Sequence, residues 1–180
     1  VNPLGHAENH APARNLELKA RCGNLAHAAR AALSLGAAPA GVLHQIDTYF
    51  HVPHGRLKLR EISGKPGELI WYQRANSTGF RGSDYYVLPV IKFAETLAAL
   101  TGALGVRGEV RKRRELYLWH NVRIHLDDVE GLGTFVEFEA VIDDRADEPV
   151  SHQRLATLTQ ALGITDANRI AVSYSDLAGL

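Results

Sequence analysis

A chain of 180 residues has room for one domain with a sizeable core, and nothing in its composition calls for a second. Its 20 Lys and Arg balance 20 Asp and Glu, which excludes a global electrostatic pull toward nucleic acid or an acidic membrane. One cysteine, Cys22, excludes an internal disulfide and a cysteine-based zinc site. No apolar run is long enough to span a bilayer and no basic-then-apolar start is present, so a cytoplasmic protein is expected.

Residues 1–13 are rich in Pro, His and small residues and are expected to form a flexible tail, leaving residues 14–180 as a single domain. Arg14 to Cys22 alternates as a first strand, with Asn15, Glu17, Lys19 and Arg21 on one side and Leu16, Leu18 and Ala20 on the other. The Ala-rich Leu25 to Leu35 predicts a helix ending at Gly36. Val42 to Val52 is a second strand, and the Pro53 to Gly55 turn leads to a third, Arg56 to Ile62, where Arg56, Lys58 and Arg60 share a face. Glu68 to Ala75, with Tyr72 and Arg74 on one face, and Ser83 to Pro89 follow as strands. Ile91 to Leu104 reads as a second helix. Val106 to Trp119 is a long basic strand that sets Lys112 and Arg114 on the face opposite Arg111 and Arg113.

Asn121 to Ala140 then forms two alternating strands around a glycine turn. Arg123, His125 and Asp127 share one face, Glu137 and Glu139 another, and the reverse faces are apolar. Ser151 to Leu162 is a third helix, and the stretch through Tyr174 is expected to fold back loosely. Tyr49, Phe50, Trp71 and Trp119 are expected in the core.

A half-buried sheet would turn those charged faces to water. The same faces carry both signs on strand after strand, however, and a curling sheet of seven to eight mostly antiparallel strands tends to close. Closure with the charges inward gives an α+β protein built on a closed barrel with an ionic lumen, its helices packed outside. Charges in a lumen must be paired, hydrated or matched by a charged ligand.

The ordered set Glu17-Leu18-Lys19, Lys58/Arg60, Lys112-Arg113-Arg114, Arg123 through Asp127, Gly131-Leu132-Gly133 and Glu137-Phe138-Glu139 resembles the CYTH domain, the family of triphosphate tunnel enzymes. The resemblance covers nearly all of Arg14 to Asp144. It implies an eight-stranded antiparallel tunnel in which cations grip a triphosphate and carboxylates hold Mg²⁺ or Mn²⁺. By position, Lys19, Lys58, Arg60, Lys112, Arg114 and Arg123 match the phosphate-binding cations, and Arg74 is added to them on the expectation that a buried Arg is paired. Glu17, Asp127, Glu137 and Glu139 match the metal-side carboxylates, and Glu17, Lys19, Arg123 and Asp127 are the catalytic candidates. Asn15 stands where the family signature has a Glu, which puts a second metal in doubt.

The phrasing looks closest to bacterial class IV adenylate cyclases, which implies conversion of ATP to cyclic AMP and pyrophosphate. Hydrolysis of inorganic, thiamine or nucleoside triphosphate is the alternative, and a non-catalytic triphosphate or polyphosphate binder the third reading. The partner expected is a small triphosphate, with no nucleic acid or membrane, and a homodimer is allowed.

Overall fold

The computed structural model describes residues 11–144 and 146–180. Eight strands run in chain order as β1 Ala13–Arg21, β2 Ala38–Phe50, β3 Arg56–Ile62, β4 Gly67–Arg74, β5 Arg81–Val90, β6 Val106–Trp119, β7 Val122–Val129 and β8 Gly133–Ile142. They close in the order β1-β5-β4-β3-β2-β6-β7-β8, with β8 pairing back onto β1 and every pairing antiparallel. Closure satisfies the backbone of every strand and leaves no free sheet edge. The expected flexible tail lies almost wholly outside the described residues, and β1 begins at Ala13.

Alternation decides which way each side chain goes, and here the apolar faces point outward. Leu16 and Leu18 of β1, Ile124 and Leu126 of β7, and Val136 and Phe138 of β8 are buried beneath helices α1 (Leu25–Ser34) and α3 (Glu148–Ala161), with Leu155 and Leu158 filling from α3. A smaller cluster of Phe50, Leu59 and Val90 sits beneath α2 (Phe93–Leu104) on the other side. Each fully buried Leu or Phe contributes roughly 1.5–3 kcal/mol, so the helices act as the lids of an inverted core. Gly67 permits the approach of α2, since a Cβ there would lie 2.5 Å from the Phe93 ring. Gly131, at φ +73°, makes the tight β7–β8 turn.

Helix starts follow side-chain caps. Asn24 accepts a hydrogen bond from the His27 amide at 2.9 Å, and Asp147 accepts one from Val150 at 2.9 Å. The second cap explains why α3 starts at Glu148 rather than at Ser151. Strand β2 likewise begins earlier than expected because its first residues continue the ladder to β6, through an irregularity between Pro39 and Gly41.

The segment 164–180 is a correction to the expectation of a loose return. It is fixed by a hydrogen bond from the Ile170 amide to the Lys19 carbonyl at 2.8 Å, a 3₁₀ turn at Asp166–Asn168, and helix α4 (Tyr174–Leu177). Ser173, Tyr174 and Ser175 are buried. Tyr174 packs edge-on against Phe135 beside Tyr49, Val110 and Val129, closing the barrel end where β2 finishes and β3 begins. An Arg56–Asp176 ion pair at 2.8 Å tacks the segment to β3. A tyrosine amid strand side chains has no local pattern to announce it, which is why periodicity missed the plug.

Tyr174→Ala should therefore destabilise the fold by about 3 kcal/mol, the usual cost of deleting a buried aromatic ring, whereas Tyr174→Phe should cost only about 1 kcal/mol for the lost hydroxyl contact. Thermal unfolding of the two variants checks this, and an unchanged midpoint in Tyr174→Ala would mean that the segment is not part of the folded structure.

Candidate functional site: a cationic tunnel

The inward faces enclose a cavity of about 490 Å³. Side chains two apart on each strand supply its wall: Asn15, Glu17 and Lys19 from β1, Lys58 and Arg60 from β3, Lys112 and Arg114 from β6, Arg123 and His125 from β7, and Glu137 and Glu139 from β8. Arg74 also lines it, as does Tyr49, which is buried in the apolar cluster around the plug, as expected of a core residue, and also borders the lumen. Arg111 and Arg113 lie outside, where each pairs with a glutamate on its own strand, Glu109 at 2.6 Å and Glu115 at 2.7 Å.

The residue that sequence reasoning passed over is Asp47. It is 1% exposed and accepts hydrogen bonds from Arg60 at 2.7 and 3.0 Å, Lys58 at 3.0 Å and Lys112 at 2.6 Å. Burial alone would raise its pKa, but Arg60, Lys112 and Lys58 together hold the carboxyl well below its ordinary range. A lone Asp in an apolar strand, two residues before a tyrosine, is the one signal that could have revealed it.

The lysines it serves also shift downward, which for them favours the neutral form. Burial and the Arg60 guanidinium, only partly offset by Asp47, bring Lys58 to about 8. Burial also dominates at Lys112, where Asp47 opposes and Arg60 and Lys58 reinforce, and brings it to about 7.

Arg114 is held by a second clamp. It gives Asp127 two hydrogen bonds, at 2.7 and 2.6 Å, and reaches Glu137 at 2.9 Å. Asp127 is fully buried and also accepts the Tyr174 hydroxyl at 2.8 Å. It does not line the cavity, so in this structure it orients Arg114 from behind. Lys19 lies 3.3 Å from Glu137, with its ammonium 3.7 Å over the Tyr174 ring.

Elsewhere in the lumen, Arg74 pairs with Glu17 at 3.0 Å and Arg123 with Glu139 at 3.2 Å. Burial, reinforced by Glu139 and Glu137 and opposed by Arg74, raises the Glu17 pKa. Asn15 turns its carbonyl oxygen to Arg123 at 3.4 Å. Nearby, His125, Glu137 and Glu139 each offer one ligand atom, all within 4.8 Å of one another. Nδ1 of His125 is buried without a hydrogen-bond partner. Two carboxylates with an orphaned imidazole nitrogen aimed at them fit a divalent cation. Of the carboxylates expected at a metal, Glu137 and Glu139 are in this group, while Glu17 and Asp127 are engaged by Arg74 and Arg114.

Counted together, seven cations (Lys19, Lys58, Arg60, Arg74, Lys112, Arg114, Arg123) meet five carboxylates (Glu17, Asp47, Asp127, Glu137, Glu139), and Lys65 cancels Glu68 at the mouth. The lumen is thus net positive by two when its lysines are protonated. A closed antiparallel barrel with such a lining defines a polyanion-binding tunnel. The chain belongs to the CYTH family, whose domain model matches residues 13–174.

It is 38% identical over 71 residues to a protein of Methanocaldococcus jannaschii provisionally named an adenylate cyclase, an alignment covering 39% of this chain and 41% of that one. It is 33% identical over 86 residues to the adenylate cyclase CyaB of Aeromonas hydrophila, covering 47% of this chain and 45% of that one. Both alignments span less than half of the relative. Among solved structures, a Pyrococcus horikoshii protein superposes with a TM-score of 0.80 at 24% identity, covering 91% of this chain and 98% of the other. An adenylyl cyclase candidate from Hippeastrum superposes at 0.61 with 14% identity, covering 92% and 93%. These two likenesses bear on the fold.

Asp47→Asn should lower stability by about 3 kcal/mol, because three buried cations lose their shared counterion, and inorganic triphosphate should restore part of the loss. Thermal unfolding with and without triphosphate reads both effects; a variant as stable as the parent would show that the clamp is not needed. A bound polyanion favours charged lysines, so binding at pH 8 should take up about one proton, and affinity should fall as pH rises through the range 7 to 8. Calorimetry in buffers of different ionisation enthalpy measures the uptake, and zero uptake would place the phosphates away from Lys58 and Lys112.

Proposed function

We propose that this protein is a divalent-metal-dependent adenylate cyclase, converting ATP to cyclic AMP and pyrophosphate within the tunnel. The observation that carries this reading is the ordering of the lumen. On β3, β6 and β1 the cations Lys58, Arg60, Lys112, Arg114 and Lys19 lie nearer the Tyr174 plug than the uncharged lumen residues Ile62, Leu116 and Asn15 of the same strands. Five adjacent strands each add an apolar side chain to the lining, Leu43, Ile62, Ile70, Val87 and Leu116, and on each strand it lies farther from the plug than Asp47, Arg60, Tyr72, Tyr85 or Arg114. Inorganic triphosphate has no use for an apolar wall. A nucleoside triphosphate seated phosphates-first does, and its α-phosphorus then falls near the open half.

In this reading Lys58, Arg60, Lys112 and Arg114 neutralise the terminal phosphates, which become the departing pyrophosphate, and Arg60 and Arg114 present guanidinium forks already oriented by Asp47 and Asp127. A net charge of about minus four on the triphosphate meets plus two from the lumen and plus two from a divalent ion, so the filled site is near neutral, as burial demands. The 3′ hydroxyl attacks the α-phosphorus and gives up its proton. Glu17, with its raised pKa, suits the acceptor role. Glu137, Glu139 and His125 would hold the ion, Mg²⁺ or Mn²⁺, which when bound supplies charge stabilisation to the phosphoryl oxygens.

Relatives named adenylate cyclases support the cyclase reading, and the Hippeastrum protein, described as having a dominant triphosphatase activity, sets the competing product. Incubation with ATP, and separately with inorganic triphosphate, in Mg²⁺ or Mn²⁺ should give cyclic AMP and pyrophosphate in equal amounts from ATP alone. Orthophosphate without cyclic AMP would establish hydrolysis instead, and binding without product a non-catalytic binder. Glu139→Ala should retain the fold and lose at least roughly tenfold in turnover; parental activity in that variant would remove Glu139 from the metal site.

A further inference from the structure

We propose that His125 is itself a ligand of the tunnel's divalent ion, and that its imidazole makes the site prefer Mn²⁺ and other first-row transition ions to Mg²⁺. This rests on the reading of the tunnel as a metal-dependent site and specifies its ion. His125 is 4% exposed, and its Nδ1 has no hydrogen-bond partner. A buried nitrogen left so lacks the partner that a bound ion would supply. That nitrogen lies 3.6 Å from a Glu139 oxygen and 3.9 Å from a Glu137 oxygen, spacings too long for hydrogen bonds and suited to three donors around a common centre.

The arrangement is built into the ladder. His125 is registered directly against Glu137, and Glu139 follows two residues on along the same face. The other oxygen donors at this level are engaged: Asn15 faces Arg123, Glu17 is paired with Arg74, and Glu137 already shares its oxygens with Lys19 and Arg114. Glu139 meets Arg123 through one oxygen and turns the other toward the imidazole. Mg²⁺ favours an all-oxygen octahedron and keeps its waters, whereas first-row transition ions accept imidazole readily. A donor set of two carboxylates and one imidazole therefore tilts selection toward the latter.

The test uses the full chain with Mn²⁺ and inorganic triphosphate, a pairing that brings in no ligand nitrogen. Pulsed electron paramagnetic resonance should show one imidazole nitrogen coupled to Mn²⁺ in the parent and none in His125→Ala or His125→Gln, with folding of both verified by thermal unfolding. Mn²⁺ affinity should fall roughly tenfold in His125→Ala. Mg²⁺, read by its displacement of Mn²⁺, should compete better in His125→Gln, which offers an oxygen in place of the imidazole. Mn²⁺ bound to the parent without nitrogen coupling would overturn the assignment of His125 while leaving the carboxylate site standing. Absence of Mn²⁺ binding would overturn both readings together.

Discussion

Crowding like charges inside a protein is the constraint that the rest of this structure answers. Lys58, Arg60 and Lys112 converge from two strands on a single carboxylate, and without Asp47 the three would repel one another in a region of low dielectric. Asp127 and Glu137 do the same for Arg114. The carboxylates hold the cations at the lumen wall, aimed and desolvated, before any ligand arrives. A phosphate entering such a site meets donors that need little further ordering, which is the advantage of preorganisation.

That arrangement dictates the architecture around it. A lumen filled with charge cannot also be the hydrophobic core, so the apolar faces of the strands turn outward and require helices to cover them. The plug at Tyr174 belongs to the same economy of charge. Its hydroxyl completes the coordination of Asp127, and its ring faces the Lys19 ammonium, so the segment that closes one end also tunes the groups inside it.

Most of the fold was legible in the sequence because strand alternation is a strong signal, clearest in β1, β3, β6 and β7. β3 and β6 fall where the pattern puts them, from Arg56 to Ile62 and from Val106 to Trp119. The lumen cations were legible for the same reason, as pairs two residues apart. Asp47 was not, because its importance comes from partners 11, 13 and 65 residues away, and a single charge in a strand carries no periodicity. Tyr174 was missed on similar grounds: its partner Asp127 lies 47 residues earlier in the chain, before β8 and α3. The metal-capable group was half legible. Glu137 and Glu139 announce themselves, but the convergence of His125 on them depends on which residues of β7 and β8 stand opposite each other.

The antiparallel register has a further consequence. Each strand carries two interleaved messages, one read by the lumen and one by the helices, as in β6, where Lys112 and Arg114 face inward while Arg111 and Arg113 face water. Because the period is two, inserting or deleting one residue would exchange the messages from that point on, placing leucines in the tunnel and charges against the helices. The lining of such a barrel therefore diversifies most simply by substitution, and a change of strand length needs a bulge to absorb it, as β2 has between Pro39 and Gly41. Chemistry in this tunnel is edited letter by letter.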